Sequence, residues 1–176
     1  MDNFAEQLVK KELTKSDKTH NIIILILGIF MVLFFLLTSV LTIGRGGLFA
    51  FIGVILALAF GFLTFSKLQN TKVEYEYTFT NGELDIDKII AQKKRKEMLT
   101  VQVGKFTDFG RYNENAPEEP DDMTVVFATN NIVSQEYYAD FQHEEYGKTR
   151  LVFCPDERMM ENITKALPNI LKNRLC

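Results

Sequence analysis

The sequence has few of the residue types from which disulfides, metal sites and catalytic sites are built. Its 176 residues include two cysteines, Cys154 and Cys176, and two histidines, His20 and His143. The cysteines lack the dense pairing of a disulfide framework, and no Cys/His cluster has metal-ligand spacing. Phosphate-binding glycine loops and serine nucleophile motifs are also missing. We therefore expect reduced thiols, no metal, no cofactor and no catalytic residue, which makes an enzyme the least favoured class.

Charge is almost missing from one stretch of the chain. Between Asn21 and Ser66 the only charged side chain is Arg45, whereas residues 66–176 carry 15 basic and 19 acidic residues. This distribution excludes a uniformly soluble globule and an acidic disordered chain. The excess of acids also excludes a nucleic-acid-binding domain, because phosphates repel it. A membrane protein with an acidic, water-facing domain remains.

Two apolar runs fill the uncharged stretch, at residues 22–43 and 48–65. As helices they would be about 33 and 27 Å long at a rise of about 1.5 Å per residue. These lengths match a hydrocarbon core of about 30 Å. The glycine-rich connection between the runs is long enough only to reverse the chain. The sequence therefore predicts a transmembrane helical hairpin over residues 21–66.

Basic residues flank the two runs unequally. Four lysines precede the first run and two follow the second, whereas the connection between the runs carries only Arg45. Basic flanks are retained on the cytoplasmic side of a membrane. We therefore expect a cell-membrane protein with two spans and both termini in the cytoplasm. Residues 1–20 would be a cytoplasmic juxtamembrane segment, in which the spacing of Phe4 and Leu8 favours a short interfacial helix.

Small residues recur on one face of the second run. Ala50, Gly53, Ala57 and Gly61 follow one another at spacings of three and four residues. A stripe of this kind allows two helices to approach closely. Two interpretations stay open: the stripe packs against the first helix of the same hairpin, or it joins two copies of the chain in the membrane.

From residue 71 onward the apolar pattern becomes an alternation, which is typical of half-buried strands. The first alternating stretch ends at Asn81-Gly82, a strong hairpin signal. A helix with an apolar face follows Pro155, and Pro168 is expected to kink or shorten it. The predicted strands cover residues 73–79, 84–90, 99–103, 106–112, 123–128, 135–143 and 148–154.

Seven antiparallel strands followed by one closing helix resemble the pleckstrin-homology-like (PH-like) fold, a bent antiparallel barrel. The hairpin 75–84, with the sequence YEYTFTNGEL, and the helix after Pro155 carry the resemblance. With its two apolar runs, the chain resembles an uncharacterised bacterial family of small two-helix membrane proteins with a cytoplasmic PH-like domain. The resemblance implies a membrane hairpin plus an α+β domain over residues 71–176. It also implies a binding or scaffold role without catalytic residues.

A basic run, Lys93, Lys94, Arg95 and Lys96, separates the second predicted strand from the third. The first strand leaves the membrane and the second returns toward it, so their next connection is expected near the bilayer surface. Four cations there could contact anionic lipid headgroups. The alternative is an ordinary solvated hairpin tip.

The favoured function is a non-enzymatic, membrane-tethered binding or scaffold protein. Its PH-like domain would offer a sheet edge, or the groove beside the C-terminal helix, to a protein partner, with membrane lipids nearby. The alternative is a subunit of a membrane complex, or of a homo-oligomer, assembled through the small-residue stripe. Nucleic acid is not an expected partner.

Overall fold

The computed structural model describes residues 3–45, 47–131 and 136–175. The chain divides into two compact units. Residues 13–72 form a helical hairpin, and the segments before and after them form a sheet domain. The predicted thiol of Cys176 and the predicted start of a strand at Gln135 lie outside the described residues.

The hairpin consists of helices α1 (Lys15–Thr42) and α2 (Gly47–Asn70). Thr14 caps α1, because its side chain accepts a hydrogen bond from the Asp17 backbone while the Asp17 carboxylate accepts one from Thr14. Both helices are long and apolar enough to cross a membrane, and only 11% of the most apolar window of each is buried. Their apolar side chains therefore face outward, unlike those of a core helix in a globular protein.

Residues before the hairpin form strand β1 (Phe4–Lys10), which pairs antiparallel with β2 (Val73–Thr80). The predicted interfacial helix is therefore wrong. Phe4 and Leu8 are four residues apart, so they share one face in a helix and also in a strand. Pairing with β2 favours the strand, because it supplies hydrogen-bond partners for the backbone N–H and C=O groups, whereas an isolated helix of this length is only marginally stable.

The first sheet is an antiparallel meander of four strands in the order β1-β2-β3-β4. Asn81 and Gly82, both with positive φ, form the tight turn that the sequence predicts between β2 and β3. The inner face of the sheet is apolar and buried. The remaining strands are β3 (Glu83–Ile90) and β4 (Lys94–Gln102).

The second sheet has the order β5-β7-β8-β6 and is mixed, because β6 pairs parallel with β8. Each of the seven strands predicted from residue 73 onward has a counterpart among β2–β8. The prediction that all of them are antiparallel is wrong, because β6 is parallel to β8, and the described residues contain an eighth strand, β1, that was not predicted. The eight strands form two four-stranded sheets. The strands are β5 (Asp108–Arg111), β6 (Thr124–Ala128), β7 (Tyr137–His143) and β8 (Gly147–Phe153).

Two short helices end the chain, α3 (Glu157–Ala166) and α4 (Asn169–Leu175). Asp156 caps α3 by accepting a hydrogen bond from the Met159 backbone N–H at 2.7 Å. Pro168 lies in the break between the two helices, as the sequence predicts. Met159 and Ile163 of α3 are fully buried in the core formed by the inner faces of both sheets.

Candidate functional site: a lysine surface at one end of the first sheet

Both connections to the hairpin leave the sheet domain at one corner. Strand β1 ends at Lys10 and β2 begins at Val73. At this corner the Lys11 backbone N–H donates to Val73 O at 3.0 Å. The hairpin is therefore inserted between two paired neighbouring strands, and the domain is tied to it twice.

The β3–β4 turn lies at this same end of the sheet. Val73 is opposite Ile90 in the β2–β3 register, and Ile90 is opposite Lys94 in the β3–β4 register. The turn between them is tight, because the Lys93 backbone N–H donates to Ile90 O at 3.1 Å. The start of the basic run is therefore one strand away from the point where β2 enters the sheet.

Strand alternation splits the basic run between two faces of the sheet. Lys94 and Lys96 share a face with Lys88, which is directly opposite Lys96 in the register. Arg95 points to the other face. The four cations of the sequence motif therefore do not form one patch. A different set, Lys88, Lys93, Lys94 and Lys96, gathers around the β3–β4 turn, and we call it the lysine surface.

Arg95 is held by two carboxylates on the outer face of the sheet. Its guanidinium forms an ion pair with Glu76, and its Nε lies 3.3 Å from Asp87 Oδ2. The positive charge of Arg95 is therefore paired within the domain.

The members of the lysine surface have no such carboxylate partners. Within the described ranges, none of the four has an acidic oxygen within ion-pair distance. Lys93, Lys94 and Lys96 are exposed and Lys88 is half-buried. Their charges are therefore available to an external anion, in a domain whose overall balance is acidic.

The small-residue stripe of α2 lies in the contact with α1. Gly53 and Ala57 are buried, and a Cβ at Gly53 would come within 3.0 Å of the Phe35 backbone oxygen. Ser39 Oγ donates to Ala50 O at 2.6 Å across the same contact. Gly61 is only partly covered, with Val32 as its nearest neighbour. Ala50 and Gly53 of the stripe therefore contact α1 of the same hairpin.

A buried ionic cluster of the second sheet has no counterpart among the sequence predictions. Arg150, whose side chain is 1% exposed, donates two hydrogen bonds of 2.7 Å to the Asp140 carboxylate. Its third nitrogen donates to Pro117 O, in the acidic loop that precedes β6. The guanidinium also stacks over the Tyr138 ring, and burial together with the Asp108 carboxylate raises the pKa of Tyr138 to about 12. The cluster holds the loop onto the sheet.

A groove of about 640 Å³ lies beside the start of α3 and along β1. Residues 7–10 form one wall, and Arg111, Tyr137 and Cys154 lie on the other. The Gln7 side chain crosses it at one point, donating to Cys154 O and accepting from Asp156 N. Burial raises the pKa of the Cys154 thiol, so that it is a poor nucleophile at neutral pH.

The chain is similar to the members of a known protein family. The sequence model of the family described as Bacterial PH-like domain (DUF6106) matches residues 1–173, which includes β1 and both helices of the hairpin. No curated protein and no solved structure matches the chain.

Proposed function

Because the chain belongs to the bacterial PH-like domain family, we propose that it is a non-enzymatic, membrane-tethered binding or scaffold protein of the cytoplasmic membrane surface. Two helices of sufficient length and hydropathy anchor it. Both termini and the sheet domain lie in the cytoplasm, as the basic flanks favour. PH-like domains are typically binding modules, and this one presents surfaces to a protein partner and to lipid.

The two connections between the hairpin and the domain support the proposal that one end of the sheet faces the bilayer. Val73 follows Asn70, the last residue of α2, by three positions, and three residues span at most about 11 Å. The β1 connection ends at the same corner, so the chain is held at one point by two short segments. We infer that two such short connections favour a position near the headgroups for the end of the sheet that carries the lysine surface.

We propose that the lysine surface contacts anionic headgroups there. Each lysine near an anionic leaflet contributes about 1 kcal/mol, within a screening length of about 8–10 Å at physiological salt. Because the anchor already holds the protein in the membrane, these contacts orient the domain. The single observation that carries the proposal is the set of four lysines without carboxylate partners at the corner where both connections leave.

A hairpin-free domain tests this contact. Residues 13–72 are replaced by a short Asn-Gly turn, because Lys11 and Val73 are already hydrogen-bonded and β1 must be retained. A fragment from residue 71 onward would lack that strand. We expect the domain to sediment with vesicles containing about 30% phosphatidylglycerol at low salt, and less with phosphatidylcholine alone.

Replacing the lysine surface by glutamine (Lys88, Lys93, Lys94 and Lys96) should weaken vesicle binding at least about tenfold, since each cation adds about 1 kcal/mol. The matched control replaces Lys105, Lys148, Lys165 and Lys172, which gives the same net charge at other places in the domain. Both variants must show the parent's circular dichroism spectrum. Equal loss in the two variants would mean that only total charge matters, and would contradict a specific surface.

A further inference from the structure

Strand β1 has one unpaired edge. Antiparallel strands direct the backbone groups of successive residues to alternate sides. The Lys11 N–H donates toward β2, to Val73 O, whereas the Glu12 N–H donates away from β2, to Asn130 O at 3.1 Å. By the same alternation, four residues of β1 point their N–H and C=O groups away from β2. The Phe4 carbonyl accepts a hydrogen bond from the Arg158 side chain, which leaves three positions for further pairing: Glu6, Leu8 and Lys10. Within the described part of the chain these groups have no backbone partner, and the groove runs beside them.

The side chains of this edge are complementary to themselves. Glu6, Leu8 and Lys10 lie on the outer face of the sheet, all exposed, with Leu8 at 50% exposure. If a second β1 runs antiparallel beside the first and is centred on Leu8, Glu6 is opposite Lys10 of the other copy. Leu8 is then opposite Leu8. Cross-strand pairs of opposite charge and of apolar residues stabilise sheets.

The hydrogen-bond pattern selects the same register. In this alignment every outward-pointing residue of one strand is opposite an outward-pointing residue of the other, so the three positions form hydrogen-bonded pairs. A shift by two residues either way keeps the backbone pairing but places Leu8 opposite Lys10 or Glu6. The centred register is therefore the one that pairs the charges and the apolar side chains together.

We propose that β1 is a self-association surface, at which a second copy of this chain adds its β1 in antiparallel register to form a continuous sheet across a two-fold axis at Leu8. Unprotected edge strands are sites of this kind of pairing. The other edge of the same sheet, β4, carries Lys94 and Lys96, and like charges there oppose self-pairing. The pairing of β1 does not depend on the lysine surface.

Disulfide trapping tests the pairing in the full-length chain, in membranes of the expressing cells. Leu8→Cys places two thiols across the two-fold axis, where paired Cα atoms are about 5.5 Å apart. The matched control is Phe4→Cys, on the same strand and face with similar exposure. Its copies would lie about 26 Å apart, eight residues at about 3.3 Å each. The unsubstituted chain sets the background from Cys154 and Cys176.

We expect mild oxidation to give at least five times more disulfide dimer with Leu8→Cys than with Phe4→Cys. Adding Glu6→Lys to Leu8→Cys should lower the dimer severalfold, and adding Lys10→Glu as well should restore it, because the exchanged charges pair again. Equal trapping at positions 4 and 8, no trapping above background, or no restoration by the double exchange would overturn the proposal. Since the vesicle assay uses different residues, failure here leaves the lipid contact standing.

Discussion

Each sheet of the domain carries an arginine held by carboxylates, and the two differ in burial. Arg150 of the second sheet is 1% exposed and bidentate to Asp140, whereas Arg95 of the first sheet is 60% exposed beside Glu76 and Asp87. Water competes with the carboxylates for the exposed Arg95 but not for the buried Arg150. The ion pair of Arg150 should therefore matter for the stability of the domain, whereas the ion pairs of Arg95 should be nearly neutral for it.

Removing the buried cation should have the largest effect. Arg150→Met leaves the Asp140 carboxylate buried without its partner, so we expect the free energy of unfolding to fall by about 3–5 kcal/mol. Urea denaturation of the hairpin-free domain, followed by circular dichroism, measures it. Arg150→Met with Asp140→Leu should recover most of the loss, because an apolar pair replaces the ion pair. A double variant as unstable as the single one would show that the ion pair is not the cause.

A buried hydroxyl joins the two sheets, and its removal should be the next largest effect. Tyr77 Oη of β2 donates to Ala128 O and accepts from the Cys154 N–H. Tyr77→Phe leaves both backbone groups without this partner and should cost about 1–3 kcal/mol. Tyr75→Phe, on the same strand and face, is the control and should cost less than about 0.5 kcal/mol. Similar losses of stability in the two variants would show that the Tyr77 hydroxyl is not what links the sheets.

The turn beside the lysine surface should be improvable. Ala91 and Gln92 both have φ near +55°, a region that costs residues other than glycine and asparagine about 1 kcal/mol or more. Ala91→Asn with Gln92→Gly supplies the residues that such a hairpin turn prefers, and should raise the unfolding free energy by about 1–2 kcal/mol. Thermal melts test this. If the double substitution gave no gain in stability, and Gly82→Ala in the turn between β2 and β3 caused no loss, turn strain would not be a source of instability.

The exposed arginine should give the smallest effect. Arg95→Gln should change the free energy of unfolding by less than about 1 kcal/mol, since solvent screens its ion pairs. It should also leave vesicle binding within about twofold of the parent, because Arg95 lies on the opposite face from Lys94 and Lys96. Binding lost to the extent seen for Lys94→Gln would show that all four cations of the sequence motif act together.

The first sheet was largely predictable from sequence and the second less so, for physical reasons. Alternation from Val73 onward and the Asn81-Gly82 turn are local signals, and the structure has both. The parallel pairing of β6 with β8 is a long-range choice, to which a period of two residues is indifferent. The same period cannot distinguish Arg150, which is buried under a loop, from a solvated strand residue.

The candidate sites show the same limit. The sequence located the basic run, but its division between two faces follows from the β3–β4 register, which includes an irregularity between Ile86 and Asp87. Lys88 was missed because it lies five residues before the run, on the preceding strand, and is opposite Lys96 only in the sheet. Strand β1 was missed because its partner lies beyond the hairpin, about 70 residues further along the chain.

The most direct test of the account is the distance of each end of β4 from the bilayer. Lys94→Cys and Gln102→Cys, in full-length chains with Cys176→Ser, carry a fluorophore at the two ends of one strand, about 26 Å apart. The chains are reconstituted in liposomes whose headgroups bear a quencher. We predict strong quenching at position 94 and weak quenching at position 102. Equal quenching, or stronger quenching at position 102, would contradict a domain held with its lysine surface against the membrane.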